Sequence, residues 1–178
     1  MEAQYLRFLR GRADGQSFVG RQPAHLPIHK PWPRIDDEYI GFFMQIGVNG
    51  ILPNPEVVCL QFYQPIDLGD DPTPFVIPIT GGNPLNKTGD TLVIDRYGEY
   101  GIEFEIQDEP DVAPDLDSEE FLKLMQPKFG GHDPWRSIHD PKKRYIGQIT
   151  EHPVKFNFGG TTCVLYISNT NDITVEMR

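Results

Sequence analysis

The chain is 178 residues long, the size of one ordinary domain, with 38% hydrophobic residues and an aromatic share of 11%. Seventeen Pro and seventeen Gly exclude long uninterrupted helices, because each Pro removes an amide donor and clashes with the preceding turn. No run approaches the ~20 apolar residues of a membrane span, and a net charge of −10 opposes contact with nucleic acid phosphates.

In chain order, alternation at Tyr5-Leu6-Arg7-Phe8-Leu9-Arg10 predicts an opening strand. The opening Met-Glu-Ala-Gln-Tyr-Leu-Arg has no apolar run of the secretory kind. Residues 20–34 hold four prolines and read as extended or turn structure. Strand-like runs follow at 39–46, 57–63, 74–79, 91–95 and 101–106, bounded by Gly, Pro, Asn and Asp. Residues 117–126 form the best helix, with Asp117 as cap, Glu120 completing a capping box and Pro127 as the stop. Further strands are predicted at 144–149, 161–168 and 172–177. The fold class is therefore α+β, mainly β, with one or two short helices.

Charge is unevenly spread. Residues 1–34 carry six Lys/Arg against two acids, residues 35–126 three against nineteen, and residues 127–178 seven against five. The extreme is the stretch from Glu103 to Glu120, which has no base and nine acids: Glu103, Glu105, Asp108, Glu109, Asp111, Asp115, Asp117, Glu119 and Glu120. Such a stretch is either a solvated loop or a surface for a positively charged partner. Its spacing does not match a calcium loop.

An internal repeat stands out. Pro31-Trp32, Ile35, Gln45-Ile46 and the run 57–63 around Cys59 are matched by Pro134-Trp135, Ile138, Gln148-Ile149 and the run 161–167 around Cys163. The offset is 103 residues, rising to 104 at the cysteines. Fixed self-similarity predicts a duplicated unit. The expected arrangement is two pseudo-symmetric antiparallel β repeats, approximately 25–66 and 127–170, sharing one core in a single domain. An acidic segment, 67–126, connects them. In each copy Pro-Trp anchors a turn, the indole N–H meets a carbonyl, and Gln45 and Gln148 satisfy backbone groups.

The second copy, Lys128-Phe-Gly-Gly-His-Asp-Pro-Trp135 with Tyr145-Ile-Gly-Gln-Ile149 and Asn157 to Ile167, resembles the YwqG-like family. The first copy, Trp32-Pro33 through Phe42-Phe-Met-Gln-Ile46 to Leu60-Gln-Phe-Tyr63, is similar to that family's first half. This is a bacterial family with a duplicated fold and a largely undefined function. Two departures are visible: Ile28-His29-Lys30 stands where the family has Gly-Gly, and Phe158-Gly159-Gly160 where it has Trp-Gly-Asp. The resemblance implies the doubled fold, carries over no catalytic residue, and touches function only because related domains occur among bacterial immunity proteins.

Motifs for chemistry are lacking. The five histidines, His25, His29, His132, His139 and His152, have no metal-ligand spacing, and Pro27 separates the first two. His132 with Asp133, or His139 with Asp140, are the pairs available for acid–base work, though sequence neighbours rarely face one point. The four serines lack a nucleophile motif. Gly81 to Gly89 ends in Lys-Thr-Gly but precedes a strand, not the helix that a phosphate loop requires. Cys59 and Cys163 lie in apolar runs and read as buried thiols of a reducing cytosol.

The expectation is a cytoplasmic immunity or inhibitor protein, not an enzyme, without metal or cofactor. It would neutralise a cognate bacterial toxin, such as a nuclease, whose basic cleft meets the nine carboxylates, with Phe104 or Phe121 as an aromatic anchor. It would bind neither nucleic acid nor membrane directly. The alternative is a small-molecule or peptide-binding module with a cleft between the repeats, lined by Trp32, Trp135, Gln45 and Gln148. An enzyme using Glu103 or Glu105, which share a strand face, is the third reading.

Overall fold

A computed structural model describes residues 1–12, 15–25, 34–35, 38–48, 50–66, 73–80, 92–112, 114–115, 117–135 and 142–178. Trp32, the Gly81–Gly89 loop, Ile138 and His139 lie outside them. The elements in order are β1 (Glu2–Arg10), β2 (Phe18–Val19), β3 (Arg34–Ile35), β4 (Glu38–Gly47), β5 (Val57–Pro65), β6 (Phe75–Thr80), β7 (Tyr100–Asp108), α1 (Glu119–Leu124), β8 (Lys128–Gly130), β9 (Lys143–Thr150), β10 (Thr162–Ser168) and β11 (Ile173–Met177). The described chain is mainly β with one short helix, as its prolines and alternating runs require.

Two compact units emerge. Unit 1 comprises Met1–Arg7 with Glu103–Arg178, and unit 2 is Phe8–Ile102. The boundary thus falls inside the segment 67–126 that the sequence suggests as a connector. In unit 2 the hydrogen-bonded order is β7–β2–β4–β5–β6, with β3 against β4. In unit 1 it is β7–β1–β8–β9–β10–β11.

Strand register shows the duplication more sharply than the letters do. In unit 2, Gln45 faces Gln61 and Phe42 faces Tyr63, with an irregularity between Phe42 and Met44. In unit 1, Gln148 faces Val164 and Tyr145 faces Tyr166, with the matching irregularity between Leu165 and Tyr166. Every one of these positions recurs 103 residues later, and the unmatched residue of each bulge, Phe43 or Ile146, does too. A bulge adds twist at a defined point, so its reproduction marks one architecture built twice. The cysteines are not equivalent, however. Cys59 faces Gly47, whereas Cys163 faces Ile149, and the true counterpart of Cys59 is Thr162. The apparent shift to 104 is therefore a coincidence of composition.

Unit 2 buries one face of its sheet in a cluster of Phe18, Ile40, Phe42, Cys59, Tyr63, Ile77 and Ile79. Phe42 meets Tyr63 edge-on at 5.5 Å between ring centres, a favoured quadrupole geometry. In unit 1 the face formed by Phe129, Ile149, Cys163 and Leu165 is fully buried. Burial raises the thiol of Cys59 to about 12 and pushes Cys163 up as well, so both remain protonated at neutral pH.

Two local expectations are corrected, and short strands that the sequence did not signal are added. The strand foreseen at 91–95 is a single parallel bridge, where the Phe42 amide donates to Leu92 and Ile94 donates to Phe42. Strands β2 and β8 are too short to show an alternation. The helix is capped by Ser118 instead of Asp117, the Ser118 hydroxyl accepting from the Phe121 amide at 3.1 Å. Replacing Ser118 by Ala is expected to cost about 1 kcal/mol in urea unfolding, while Asp117→Ala leaves the midpoint nearly unchanged.

Candidate functional site

The acidic stretch lies wholly in unit 1 and is largely open to solvent. Glu103, Glu105, Asp108, Asp111, Asp115, Asp117, Glu119 and Glu120 are all exposed. Strand alternation puts Glu103 and Glu105 on one side of β7, with Arg7 Nε 3.8 Å from Glu105. Glu119 and Glu120 occupy the first turn of α1, where carboxylates favour the helix dipole. Three large hydrophobics are exposed among these acids: Ile106, Val112 and Leu122, at 63%, 79% and 67%. Phe104 and Phe121 are half-buried, so neither is a free anchor.

Glu109 is the exception and corrects its place in the acidic surface. Its side chain is buried and its carboxylate accepts three hydrogen bonds. Lys128 Nζ and the Tyr5 hydroxyl each lie 2.5 Å from Oε1, and the His132 amide lies 2.6 Å from Oε2. The Lys128 ammonium is completely buried and stands 5.7 Å above the Tyr5 ring. Burial by itself would raise the Glu109 carboxyl, but the His132 amide, Lys128 and Tyr5 outweigh it and hold the group below its ordinary value. The Lys128 ammonium is pulled down by its burial and partly restored by Glu109. This pair is a fixed internal strut and presents no charge to a partner.

The strut depends on Gly130-Gly131. Both have positive φ, 71° and 70°, which turns the chain around the carboxylate so that the next amide, His132, points at it. The sequence motif is thus explained by a contact to a residue 23 positions away. Nothing in the spacing of Glu109 and Lys128 signals their pairing.

Other candidates resolve individually. His132 is buried and its Nε2 is hydrogen-bonded to the Pro110 carbonyl, while Asp133 instead accepts from the Trp135 amide at 2.8 Å and the Tyr166 hydroxyl at 3.3 Å. They do not form an acid–base pair. Gln45 donates to the Gln16 carbonyl and accepts from the Ala24 amide. Gln148 Nε2 donates to the Leu124 and Gln126 carbonyls, but its Oε1 is buried without a partner. The Trp135 indole N–H is also buried and unpartnered, contrary to the carbonyl contact expected of it. Among the described residues no group of His, Cys, Asp or Glu is arranged to hold a metal, and no helix is long and apolar enough to cross a membrane. No family model, curated protein or solved structure matches the chain.

Proposed function

We propose that the chain is an immunity-type inhibitor that acts in the bacterial cytoplasm and neutralises a cognate toxin by covering its basic cleft with the acidic face of unit 1. The resemblance to the YwqG-like family belongs to this proposal. The observation that carries it is the composition of the exposed stretch: eight exposed carboxylates between Glu103 and Glu120, with exposed Ile106, Val112 and Leu122 in the same run of chain. A protein interface uses exposed apolar side chains at its centre, with charge around them to steer encounter.

The test uses the purified product of the neighbouring reading frame, with binding followed by stopped-flow at several salt concentrations. The triple replacement of Asp108, Asp111 and Asp115 by Ser is expected to slow association about tenfold at low salt and to flatten the salt dependence. Glu109 is left intact because its loss would test folding instead. Absence of binding, or an association rate indifferent to the three substitutions, overturns the reading.

A further inference from the structure

Strand register allows the last strand of each repeat to be compared. β6 pairs with β5 as β11 pairs with β10, which equates Phe75, Val76, Ile77, Pro78 and Ile79 with Thr174, Val175, Glu176, Met177 and Arg178. β6 ends the strand order of unit 2 and β11 that of unit 1. An open strand edge invites pairing with another chain, and a proline blocks it because it has no N–H to offer. β6 carries Pro78. β11 has Met177 at the equivalent position and no proline anywhere along it.

The pairing of β11 fixes which of its backbone groups face outward. The Arg178 amide donates to the Thr162 carbonyl at 3.0 Å, and the Thr162 amide donates to the Arg178 carbonyl at 2.7 Å. The Asp172 carbonyl accepts from the Ser168 amide at 2.9 Å. Asp172 and Arg178 therefore turn their backbone toward β10, and by alternation so do Thr174 and Glu176. The N–H and C=O groups of Ile173, Val175 and Met177 point the other way, where no described strand lies. These three residues are half-buried. Side chains alternate too. Thr174, Glu176 and Arg178 share a polar face where β6 has apolar Phe75, Ile77 and Ile79, while Ile173, Val175 and Met177 share an apolar one.

This edge is complementary to itself. Antiparallel pairing about a two-fold axis at Val175 sets Val175 against Val175 of a second copy, and Ile173 against its Met177. Each such pair exchanges two N–H···O bonds, and the apolar side chains meet across the junction. The same register sets Asp172 against Arg178 and Thr174 against Glu176. Sliding by two residues in one direction would set Glu176 against itself, and in the other Asp172 against Glu176. Like charges directly opposite are destabilising. Sliding by one residue would set outward groups against inward ones. One register thus joins every outward group and matches opposite charges, which is the self-complementarity that a two-fold interface requires.

We propose that the chain forms a two-fold dimer in which β11 pairs antiparallel with β11 of a second copy, centred on Val175. The proposal rests on the open edge of β11 and does not depend on the inhibitor reading.

Sedimentation velocity of the full chain is expected to show a reversible dimer of twice the chain mass, with a dissociation constant in the roughly micromolar range. Val175→Pro removes the central outward donor and none of the bonds to β10, and is expected to leave only monomer with the parent's circular dichroism spectrum. Asp172→Lys, at an exposed position, is expected to weaken the dimer about tenfold, because it sets Lys against Arg178. It decides the matter even if Val175→Pro fails to fold. The triple Ser variant of the acidic face dimerises like the parent.

Register is read by cross-linking with oxidised glutathione. Val175→Cys is expected to join to itself, since Cα atoms in such a pair lie about 5.5 Å apart. Ile173→Cys alone is expected not to, whereas its mixture with Met177→Cys does. Cys59 and Cys163 are buried and add no background. The proposal is overturned if the chain stays monomeric at about 500 µM, well above the expected dissociation constant. It is also overturned if Asp172→Lys leaves the dimer unchanged, or if Ile173→Cys cross-links as readily as Val175→Cys. Protection of the Ile173, Val175 and Met177 amides from hydrogen exchange only on adding the product of the neighbouring reading frame would assign the edge to that partner and overturn the dimer.

Discussion

Lys128→Met is expected to destabilise the protein by about 3–5 kcal/mol, measured by urea unfolding at neutral pH. Methionine matches the volume of the lysine stem, so the loss comes from electrostatics and not from a cavity. It leaves the Glu109 carboxylate, 2% exposed in its side chain, with the Tyr5 hydroxyl and the His132 amide but no counter-charge. The double variant Lys128→Met with Glu109→Gln is expected to recover more than half of that loss, because both charges are then removed together. A double variant no more stable than Lys128→Met alone would show that the lysine contributes through packing.

The pair also sets an acid limit. The folded Glu109 carboxyl is held below its ordinary value of 4.5, so the folded state binds this proton less readily than the unfolded chain. The resulting stabilisation is fully present above the ordinary carboxylate range and is lost as pH falls through the lower folded value. Glu109→Gln is expected to flatten the stability profile below about pH 4.5, at the expense of a lower plateau at neutral pH.

Gly131→Ala is the second large effect, with an expected loss of about 2–3 kcal/mol. Two penalties combine there. The residue has φ of 70°, a region that side chains with a Cβ rarely adopt. An added Cβ would also sit 2.7 Å from the Ala3 Cβ and collide with the Glu109 carboxylate. By comparison, Gly50 has φ of 78° with nothing within 4 Å of an added Cβ. Gly50→Ala therefore carries only the backbone penalty, and its thermal midpoint should fall by clearly less. Equal losses at the two positions would remove the steric part of the explanation.

Neither role is visible in the linear order of residues. Lys128 reads as the start of a Lys-Phe-Gly-Gly motif, and Glu109 as one acid among nine. Period-two alternation reports which face a strand buries, but not which residue from another strand arrives above it. Their contact, 19 residues apart in sequence, exists only once β8 has paired with β1 and placed Lys128 opposite Tyr5. The exposure of the other eight acids was legible, because carboxylates that no buried counter-charge holds keep their hydration.

The repeat shows the same division. Pro-Trp and Gln-Ile at a spacing of 103 disclosed a duplication, yet the cysteine match within it was false, and only the pairing register identified Thr162 as the counterpart of Cys59. Composition, proline density and alternation were enough to determine a mainly β chain with one short helix and an acidic exposed stretch, since these follow from local sterics and from hydration. Which of two matching sheet faces became an apolar core and which became a polar one was decided by tertiary structure. That outcome depends on which side chains meet across strands, and burial takes its energetic sign from those neighbours.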